Sequence, residues 1–394
     1  MSRIYNDPIN GDKSSVGEQL RMDVYKRKAL IDLVKEQFFG QLSGHENMPK
    51  NMGKTIKKYH YLPMLDDRNI NDQGLDASGA VIANGNLYGS SKDVGTITSK
   101  LPVLSENGGR VNRVGFKRIQ LEGTIEKLGF FEEYTKESMD FDTDEQLEMH
   151  IHRELTRAAN EMTEDAIQID LLNAAGTIRY PGAATQRSEI TAEGPNPSFV
   201  TYDDLMRLAI DLDKNRTPKH TTIITGSLMT NTRVVAASRY MFIGSELIPT
   251  VKKMVDSFGN PAFIPVQQYA DAGTVANGEI GSIDQFRFIV VPEMQSWEGG
   301  GASVGTNPGY YEENGSYSVF PMLVVGEGAF STIGFQTDGK NVKFKIKHVK
   351  PESDISYGAH DPYGEKGFTS IKWYYGNLIE RAERIALIPT VAEM

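Results

Sequence analysis

A five-residue segment from Gly301 to Gly305 fits the G-x-S-x-G pattern of a serine nucleophile, with Ser303 at its centre. The chemistry would be acyl transfer, which requires the serine to stand on a sharp turn between a strand and a helix. Here two glycines precede the pattern and Asn307-Pro308-Gly309 follows it, so the sequence indicates a loop. A serine hydrolase using Ser303 is the least favoured of three functional hypotheses.

Two further motifs resemble ligand-binding loops without completing them. Gly53-Lys54-Thr55 matches the end of a phosphate-binding loop, but position 48, where that loop needs its first glycine, is Met48. Asp67, Asn69 and Asn71 imitate a calcium loop, but Asp72 replaces the turn glycine and Ser78 replaces the bidentate glutamate. The first motif predicts a turn into a strand, and neither predicts a bound ligand.

His150 and His152 raise the question of a metal site on a helix. Residues two apart point to different sides of a helix, whereas residues three or four apart share a face. Each histidine has a carboxylate four positions away, Glu154 for His150 and Glu148 for His152, but one histidine and one glutamate do not complete a site. We predict solvated helix pairs here, and no catalytic residue, cofactor or metal anywhere in the chain.

The element that would position these residues is a long helix predicted from Asp142 to Ala175. Thr143 and Gln146 form a capping box at its start, and Gly176 lies where a helix-ending residue is expected. At 1.5 Å per residue it would be about 45–50 Å long, which suits a structural spine. An apolar stripe recurs at steps of three and four through Leu147, Ile151, Leu155, Ala158, Met162, Ala166 and Ile169, and the predicted polar face includes Glu161, Glu164 and Asp165.

The remaining chain divides into an arm, a projection and a compact α/β region. Residues 16–42 predict an amphipathic helix that must lie on protein. The glycine-rich residues 66–109, between strands predicted at 53–65 and 111–134, cannot form a core, so we expect a two-stranded projection ordered by a neighbouring subunit or, alternatively, a flexible insertion. Thr201 predicts a helix cap, and residues 227–245 and 247–258 are predicted to be partly helical. Strands are predicted at 221–225, 286–291, 319–325, 330–335, 342–349, 369–375 and 385–388.

Composition excludes several classes of protein. The 394 residues include no cysteine, so disulfides and thiolate sites are excluded. We predict neither secretion by a signal peptide nor a membrane span, because no basic segment precedes an apolar run near Met1 and no apolar run reaches membrane-spanning length. A net charge of -10 argues against a protein that grips nucleic acid.

The order of these parts resembles the HK97-fold major capsid proteins of tailed phages. Three segments are similar to the major capsid family of schitovirus-type short-tailed phages: Tyr25-Lys26-Arg27-Lys28-Ala29-Leu30, Met48-Pro49-Lys50-Asn51-Met52-Gly53-Lys54-Thr55-Ile56 and Asn277-Gly278-Glu279-Ile280-Gly281-Ser282-Ile283-Asp284-Gln285-Phe286-Arg287-Phe288. The likeness covers roughly residues 16–349 and departs from the family pattern in the lengthened segment 66–109.

The resemblance implies an α+β, HK97-like capsid fold. Its expected parts are an N-terminal arm (1–52), an extended β-hairpin loop (E-loop, 53–125), a P domain with the long spine helix (126–180), an A domain (181–340) and C-terminal strands that complete the P domain (341–394). Some members join subunits through a lysine to asparagine bond. Lys92 and Lys100 lie in the extended loop, but surface lysines are ordinarily solvated, so cross-linking is not predicted.

The expected function is a non-enzymatic major capsid protein that self-assembles into hexamers and pentamers. These would form the icosahedral head shell around double-stranded DNA, with a portal and scaffold or cement proteins as partners and no membrane. The expected location is the virion, after assembly in the host bacterial cytoplasm. An acidic inner wall would let packaged DNA move without adhering. The alternative within the same fold is an encapsulin-like nanocompartment that holds an enzyme.

Overall fold

The computed structural model describes residues 38–61, 75–76, 110–111, 118–141, 147–224, 232–268, 275–307, 309–335, 344–352 and 363–394. The α-helices in this part are α1 (Lys136–Phe141), α2 (Leu147–Ala174), α3 (Tyr202–Lys214) and α4 (Ile248–Lys252). The strands are β1 (Gly44–Met48), β2 (Thr55–Tyr61), β3 (Leu75–Asp76), β4 (Arg110–Val111), β5 (Arg118–Thr135), β6 (Thr177–Ile178), β7 (His220–Ile224), β8 (Thr232–Ile243), β9 (Ile264–Pro265), β10 (Glu279–Ile283), β11 (Phe286–Val290), β12 (Glu312–Glu313), β13 (Ser316–Tyr317), β14 (Phe320–Val325), β15 (Phe330–Phe335), β16 (Lys345–Val349), β17 (Lys366–Ile379) and β18 (Ile385–Thr390).

Two large sheets contain most of the described strands, and β12-β13 and β3-β4 form two separate two-stranded sheets. One large sheet has the order β1-β15-β17-β5-β2, with β16 also paired to β17. The other has the order β6-β18-β14-β8-β11-β10-β9, with β7 also paired to β8. The fold is therefore mixed, with parallel pairs such as β1 with β15 and β8 with β11 beside antiparallel ones such as β14 with β18.

The chain forms two compact units. The described residues of the first are 132–141, 147–157, 348–352 and 363–369, and the second contains the rest of the described chain. Within the first unit, the backbone N–H of Lys136 donates to the carbonyl of Glu365 at 2.8 Å, and that of Glu352 donates to the carbonyl of Gly364 at 2.8 Å.

The core of the second unit lies on the larger sheet. Helix α3 contributes Leu205, Leu208 and Leu212 to it, and the capping box between Thr201 and Asp204 fixes the start of that helix, as predicted. The sheet contributes fully buried side chains from its central strands, Met241, Phe288, Met322, Val324 and Ile388. In the smaller sheet, Met48, Ile125, Ile333 and Leu378 form a separate buried cluster.

The spine helix α2 confirms the central prediction and corrects its buried face. It ends at Ala174, and its 28 residues extend for about 42 Å, while its predicted capping residues, 142–146, lie outside the described part. The side chains of Ile151 and Leu155 are buried as predicted. Farther along, Met162 and Ile169 are about half exposed, and the buried positions are instead Ala159, Thr163, Glu164, Ile167, Gln168 and Leu171.

One segment predicted to be partly helical is a strand. Residues 232–243 form β8, which lies between β14 and β11 near the centre of the larger sheet. Tyr240, Met241, Phe242 and Ile243 are all fully buried there. Pairing with strands far away in sequence decides this structure, and local spacing does not record such pairing. The partial helix predicted after Leu247 is confirmed only by the short helix α4.

The strands at the base of the predicted projection are antiparallel. Strand β2 pairs with β5 from Thr55 opposite Thr124 to Tyr61 opposite Arg118, and β3 pairs with β4 over two residues. Most of the projection itself lies outside the described residues, as do the arm residues before Phe38.

Candidate functional site

The first described residues of the chain are fixed to the spine helix by one buried carboxylate. Glu164 accepts hydrogen bonds from three consecutive backbone N–H groups, those of Phe38 at 3.2 Å, Phe39 at 2.9 Å and Gly40 at 3.3 Å. The Glu164 residue is only 5% exposed, so these donors replace the water that its oxygen atoms would bind at the surface. We call Phe38 to Gln41 together with Glu164 the arm joint.

The arm joint also contacts the turn before β10. The side-chain amide of Gln41 donates to the carbonyl of Asn277 at 3.3 Å, and the backbone N–H of Asn277 donates back to Oε1 of Gln41 at 3.0 Å. Gly278 follows with φ +74°, and a Cβ there would lie 2.7 Å from the Phe38 ring. The structure therefore explains both residues: Asn277 pairs with Gln41, and a side chain at position 278 would collide with Phe38.

Aromatic packing completes this joint. The ring of Phe39 lies 4.4 Å, centroid to centroid, from the ring of Phe242 in the central strand β8. Phe39 is 2% exposed. The segment from Phe38 to Gln41 is thus held by both a buried carboxyl acceptor and the apolar core.

A lysine joins separate strands of the smaller sheet. Nζ of Lys58 in β2 donates to Glu46 in β1 at 3.0 Å and to Glu380 after β17 at 2.9 Å, and the hydroxyl of Ser331 in β15 donates to Glu380 at 2.6 Å. Because Lys58 is partly exposed, this network contributes more to strand alignment than to stability.

The Gly53-Lys54-Thr55 segment is the predicted turn into a strand. Gly53 has φ +84°, the carbonyl of Lys54 accepts from the backbone N–H of Ile125 at 2.9 Å, and β2 begins at Thr55. A phosphate-binding loop would instead open a helix at this point. The predicted turn into a strand is therefore confirmed.

Ser303 does not stand on a nucleophile elbow. Its neighbours are tied into irregular pairing, with the N–H of Ala302 donating to Ile190 and the N–H of Val304 donating to Gly315, each at 2.9 Å. Ser303 itself bridges to Ser316. No helix follows the serine in residues 304–307, so the required strand-turn-helix geometry is missing from this described segment.

The loop after Ser303 is instead organised by a carboxylate. Glu193 accepts from the backbone N–H groups of Gly305 at 3.2 Å and Asn307 at 2.8 Å, and from the Tyr317 hydroxyl at 2.8 Å. The Tyr317 phenol and the Asn307 backbone hold the pKa of Glu193 below its ordinary value. Burial, assisted by the Glu193 charge, raises the pKa of Tyr317 to about 12. These contacts hold the loop of residues 305–307 against Glu193, and we call them the Glu193 clasp.

The two spine-helix histidines are not brought together as ligands. Glu154 pairs with Arg157 at 3.7 Å, and the ring of His152 lies 5.1 Å from the ring of His348. Nδ1 of His348 is 2.7 Å from the Thr369 hydroxyl. Among the described residues no cluster of three or more histidine and carboxylate side chains could hold a metal ion.

The sequence does not predict the contact between the rings of His152 and His348. The two residues are separated by almost two hundred positions, and no local spacing indicates their contact. The calcium-like residues Asp67, Asn69 and Asn71 and the extended-loop lysines Lys92 and Lys100 lie outside the described residues.

Comparisons with known proteins identify the class to which this architecture belongs. A family model described as phage capsid protein matches residues 118–351. The major capsid protein of Pseudomonas phage KPP21 is 59% identical over 391 residues, which cover 99% of this chain and 97% of that protein. The chain therefore belongs to the family of phage capsid proteins, with a structural role in the head shell, and these relatives do not favour the encapsulin alternative.

Solved structures show the same fold at low sequence identity. The capsid of Ralstonia phage GP4 aligns with a TM-score of 0.60 at 10% identity, over 96% of this chain and 98% of that chain. The head structure of Helicobacter pylori bacteriophage KHP40 aligns with a TM-score of 0.52 at 11% identity, over 95% of each chain. The predicted HK97-like capsid fold is confirmed.

Across the described residues, none of the helices combines the length and apolarity needed to cross a bilayer.

Proposed function

We propose that this chain assembles into hexamers and pentamers that close an icosahedral head shell around double-stranded DNA. The observation that supports this most is its identity of 59% to a phage major capsid protein over nearly the whole of both chains. Closed symmetry then multiplies weak contacts over many copies, so each subunit contact need not be strong.

The proposed domain assignment follows the family pattern. Residues 1–52 act as the arm, 53–125 as the extended loop, 126–180 with 341–394 as the P domain, and 181–340 as the A domain. The arm joint supports this scheme because an arm that reaches a neighbouring subunit needs a firm point of departure, and Glu164 holds that point on the spine helix. The C-terminal range contributes β17 to the smaller sheet and β18 to the larger one.

The proposed partners are other copies of the chain, a portal, and scaffold or cement proteins, with assembly in the host bacterial cytoplasm. The net charge of -10 suits a wall that encloses DNA without binding its sequence, since phosphates repel an acidic surface. The shell has no catalytic task in this proposal, and Ser303 serves as an ordinary loop residue.

Negative-stain electron microscopy of the purified chain, alone and with candidate scaffold proteins, tests the proposal. We expect shells, tubes or isolated capsomers in at least one condition. A protein that sediments as a stable 43.7 kDa monomer in every condition would argue against it. DNA and a portal in purified particles separate a phage head from a cargo-filled compartment.

A further inference from the structure

A polar cavity of about 440 Å³ lies between the C-terminal end of the spine helix and the smaller sheet. It is partly open to solvent, and its lining comes from α2, β5 and β17. All of these residues belong to the second compact unit, so a single subunit forms the whole cavity. The polar side chains that line it are Thr124, Glu126, Asp170, Asn173, Tyr375 and Asn377.

The cavity contains two carboxylates, and none of the residues that line it is basic. Asp170 accepts a hydrogen bond from the Tyr375 hydroxyl at 2.8 Å, and neither Asp170 nor Glu126 forms an ion pair within the described part of the chain. Burial, followed by the charge of Asp170, raises the pKa of Tyr375, so the phenol stays neutral and remains a donor. Among the described residues, no cation within ion-pair distance offsets the two carboxylates.

The spine helix adds negative potential at the same place. Asp170 and Asn173 lie near its C-terminal end, and its last turn contains no basic residue. The C-terminal end of a helix carries a partial negative charge of about half an elementary charge, which stabilises a nearby cation. An acidic residue in this position is therefore unfavourable unless a cation lies close to it.

A carboxamide without a partner also lines this cavity. Oδ1 and Nδ2 of Asn377 are both buried, and neither forms a hydrogen bond with another described residue. Buried side-chain amides are ordinarily hydrogen-bonded. The Asn377 side chain thus indicates a further polar group within the cavity, independently of the carboxylates.

We infer that this cavity binds a hydrated divalent cation of the Mg²⁺ type. The available ligand atoms are oxygens, which such hard cations prefer, and two carboxylates suffice because Mg²⁺ keeps several of its waters. An octahedral shell of six waters occupies about 180 Å³ at about 30 Å³ each, so the hydrated ion fits the cavity. We call Glu126, Asp170 and Asn377 the cation pocket.

Each member of the cation pocket has a distinct role. Glu126 and Asp170 supply the negative charge, and Oδ1 of Asn377 accepts from a coordinated water after a small rotation of its side chain. No third carboxylate lines the cavity, so a closed cage of the calcium type is not formed. The sequence predicts no such site, because Glu126 and Asp170 lie far apart in sequence and form no motif.

Manganese binding to the purified subunit tests the cation pocket directly. Mn²⁺ replaces Mg²⁺ at oxygen sites, and free Mn²⁺ is measured by its electron paramagnetic resonance signal. We expect one bound Mn²⁺ per subunit that Mg²⁺ displaces. The variant E126Q/D170N, with an unchanged circular dichroism spectrum, should bind it at least about tenfold more weakly, because affinity follows the number of charged ligands.

A matched control separates the cation pocket from the overall charge of the chain. The variant E132Q/D203N removes the same number of negative charges at two exposed positions outside the cavity. It should bind Mn²⁺ as tightly as the unsubstituted chain does.

A built-in cation gives a second test that a loss of fold cannot imitate. Asn173 is exposed at the cavity, and Asn173→Lys places an ammonium group there, near the end of the helix, where a cation is favourable. MgCl₂ should raise the thermal midpoint of the unsubstituted subunit more than NaCl of equal ionic strength does. The variant without MgCl₂ should already show that higher midpoint, and MgCl₂ should raise it no further.

Three results would overturn the inference and leave the proposed function intact, since the cavity belongs to one subunit. Equal Mn²⁺ affinity in E126Q/D170N and E132Q/D203N would show that only the overall charge attracts the ion. A rise in thermal midpoint with spermidine but not with MgCl₂ would assign the cavity to an organic ammonium group. Subunits that form normal shells but bind no Mn²⁺ would exclude the site altogether.

Discussion

The carboxylate of Glu164, in the C-terminal half of the spine helix, accepts a hydrogen bond from the backbone N–H of Phe39 at 2.9 Å across 125 positions of sequence. Together with the N–H groups of Phe38 and Gly40, it fixes the start of the described chain to the longest described helix. The proposed N-terminal arm would start from this fixed point.

Glu164→Ala should destabilise the subunit by about 2–4 kcal/mol, because three N–H groups, two of them in buried hydrogen bonds, lose their carboxyl acceptor. Urea unfolding of the unassembled subunit measures the change in free energy of unfolding. Glu154→Ala on the same helix is the control, since the Glu154 side chain is 59% exposed and its contact with Arg157 is long, 3.7 Å, and it should cost at most about 0.5 kcal/mol. Equal effects of the two substitutions would contradict the role of the arm joint.

Subunit stability should fall in acid because of His220. Burial lowers the pKa of His220 to about 4, although its hydrogen bond to the Val325 carbonyl acts in the opposite direction. The neutral form is favoured in the folded state, so its contribution is complete above about pH 6.5 and is lost progressively as the pH falls towards 4.

The size of this loss is roughly 3 kcal/mol for a change of that pKa from 6.5 to about 4. His220→Gln, which retains an N–H donor, should flatten the stability curve between these pH values. Thermal unfolding of the unsubstituted protein and the variant between pH 4 and 6.5 measures this difference in the pH dependence of stability. An equally steep fall in the variant would assign the acid sensitivity to other groups.

Tyr317→Phe should cost about 1–2 kcal/mol of subunit stability. The substitution removes the hydroxyl that donates to Glu193 at 2.8 Å while it retains the buried ring. Hydrogen exchange of the Gly305 and Asn307 amides should also accelerate, because the clasp loses one of its contacts. Unchanged exchange would show that Glu193 organises the loop without Tyr317.

Ser303→Ala should leave both stability and assembly within experimental error. Ser303 is exposed and lies in irregular strand pairing, so neither packing nor chemistry depends on its hydroxyl. The unsubstituted chain should also resist labelling by a fluorophosphonate probe. Stoichiometric labelling that Ser303→Ala abolishes would revive the hydrolase hypothesis.

The sequence predicted those elements that local periodicity and capping determine. The helix capped by Thr201 and the end of the spine helix before Gly176 are two examples. At Gly176 a Cβ would lie 2.5 Å from the Ala382 carbonyl oxygen, so the glycine also serves close packing. The expectation that Ser303 lies in a loop rested on its neighbouring glycines, and the structure agrees.

Predictions from local sequence patterns are wrong where long-range contacts decide the structure. Glu164 was assigned to a polar face because it is charged, yet its partners are backbone groups from a distant segment. The strand β8 was predicted to be partly helical because its pairing with β14 and β11 leaves no local periodic signal. The contact between the rings of His152 and His348 likewise joins residues that are far apart in sequence.

A cryo-electron microscopy reconstruction of particles assembled from this chain tests the central claim most directly. The account predicts closed shells built from this one polypeptide, with capsomers of both five and six copies. Particles without such capsomers, or a chain that remains a 43.7 kDa monomer with every scaffold tested, would contradict it.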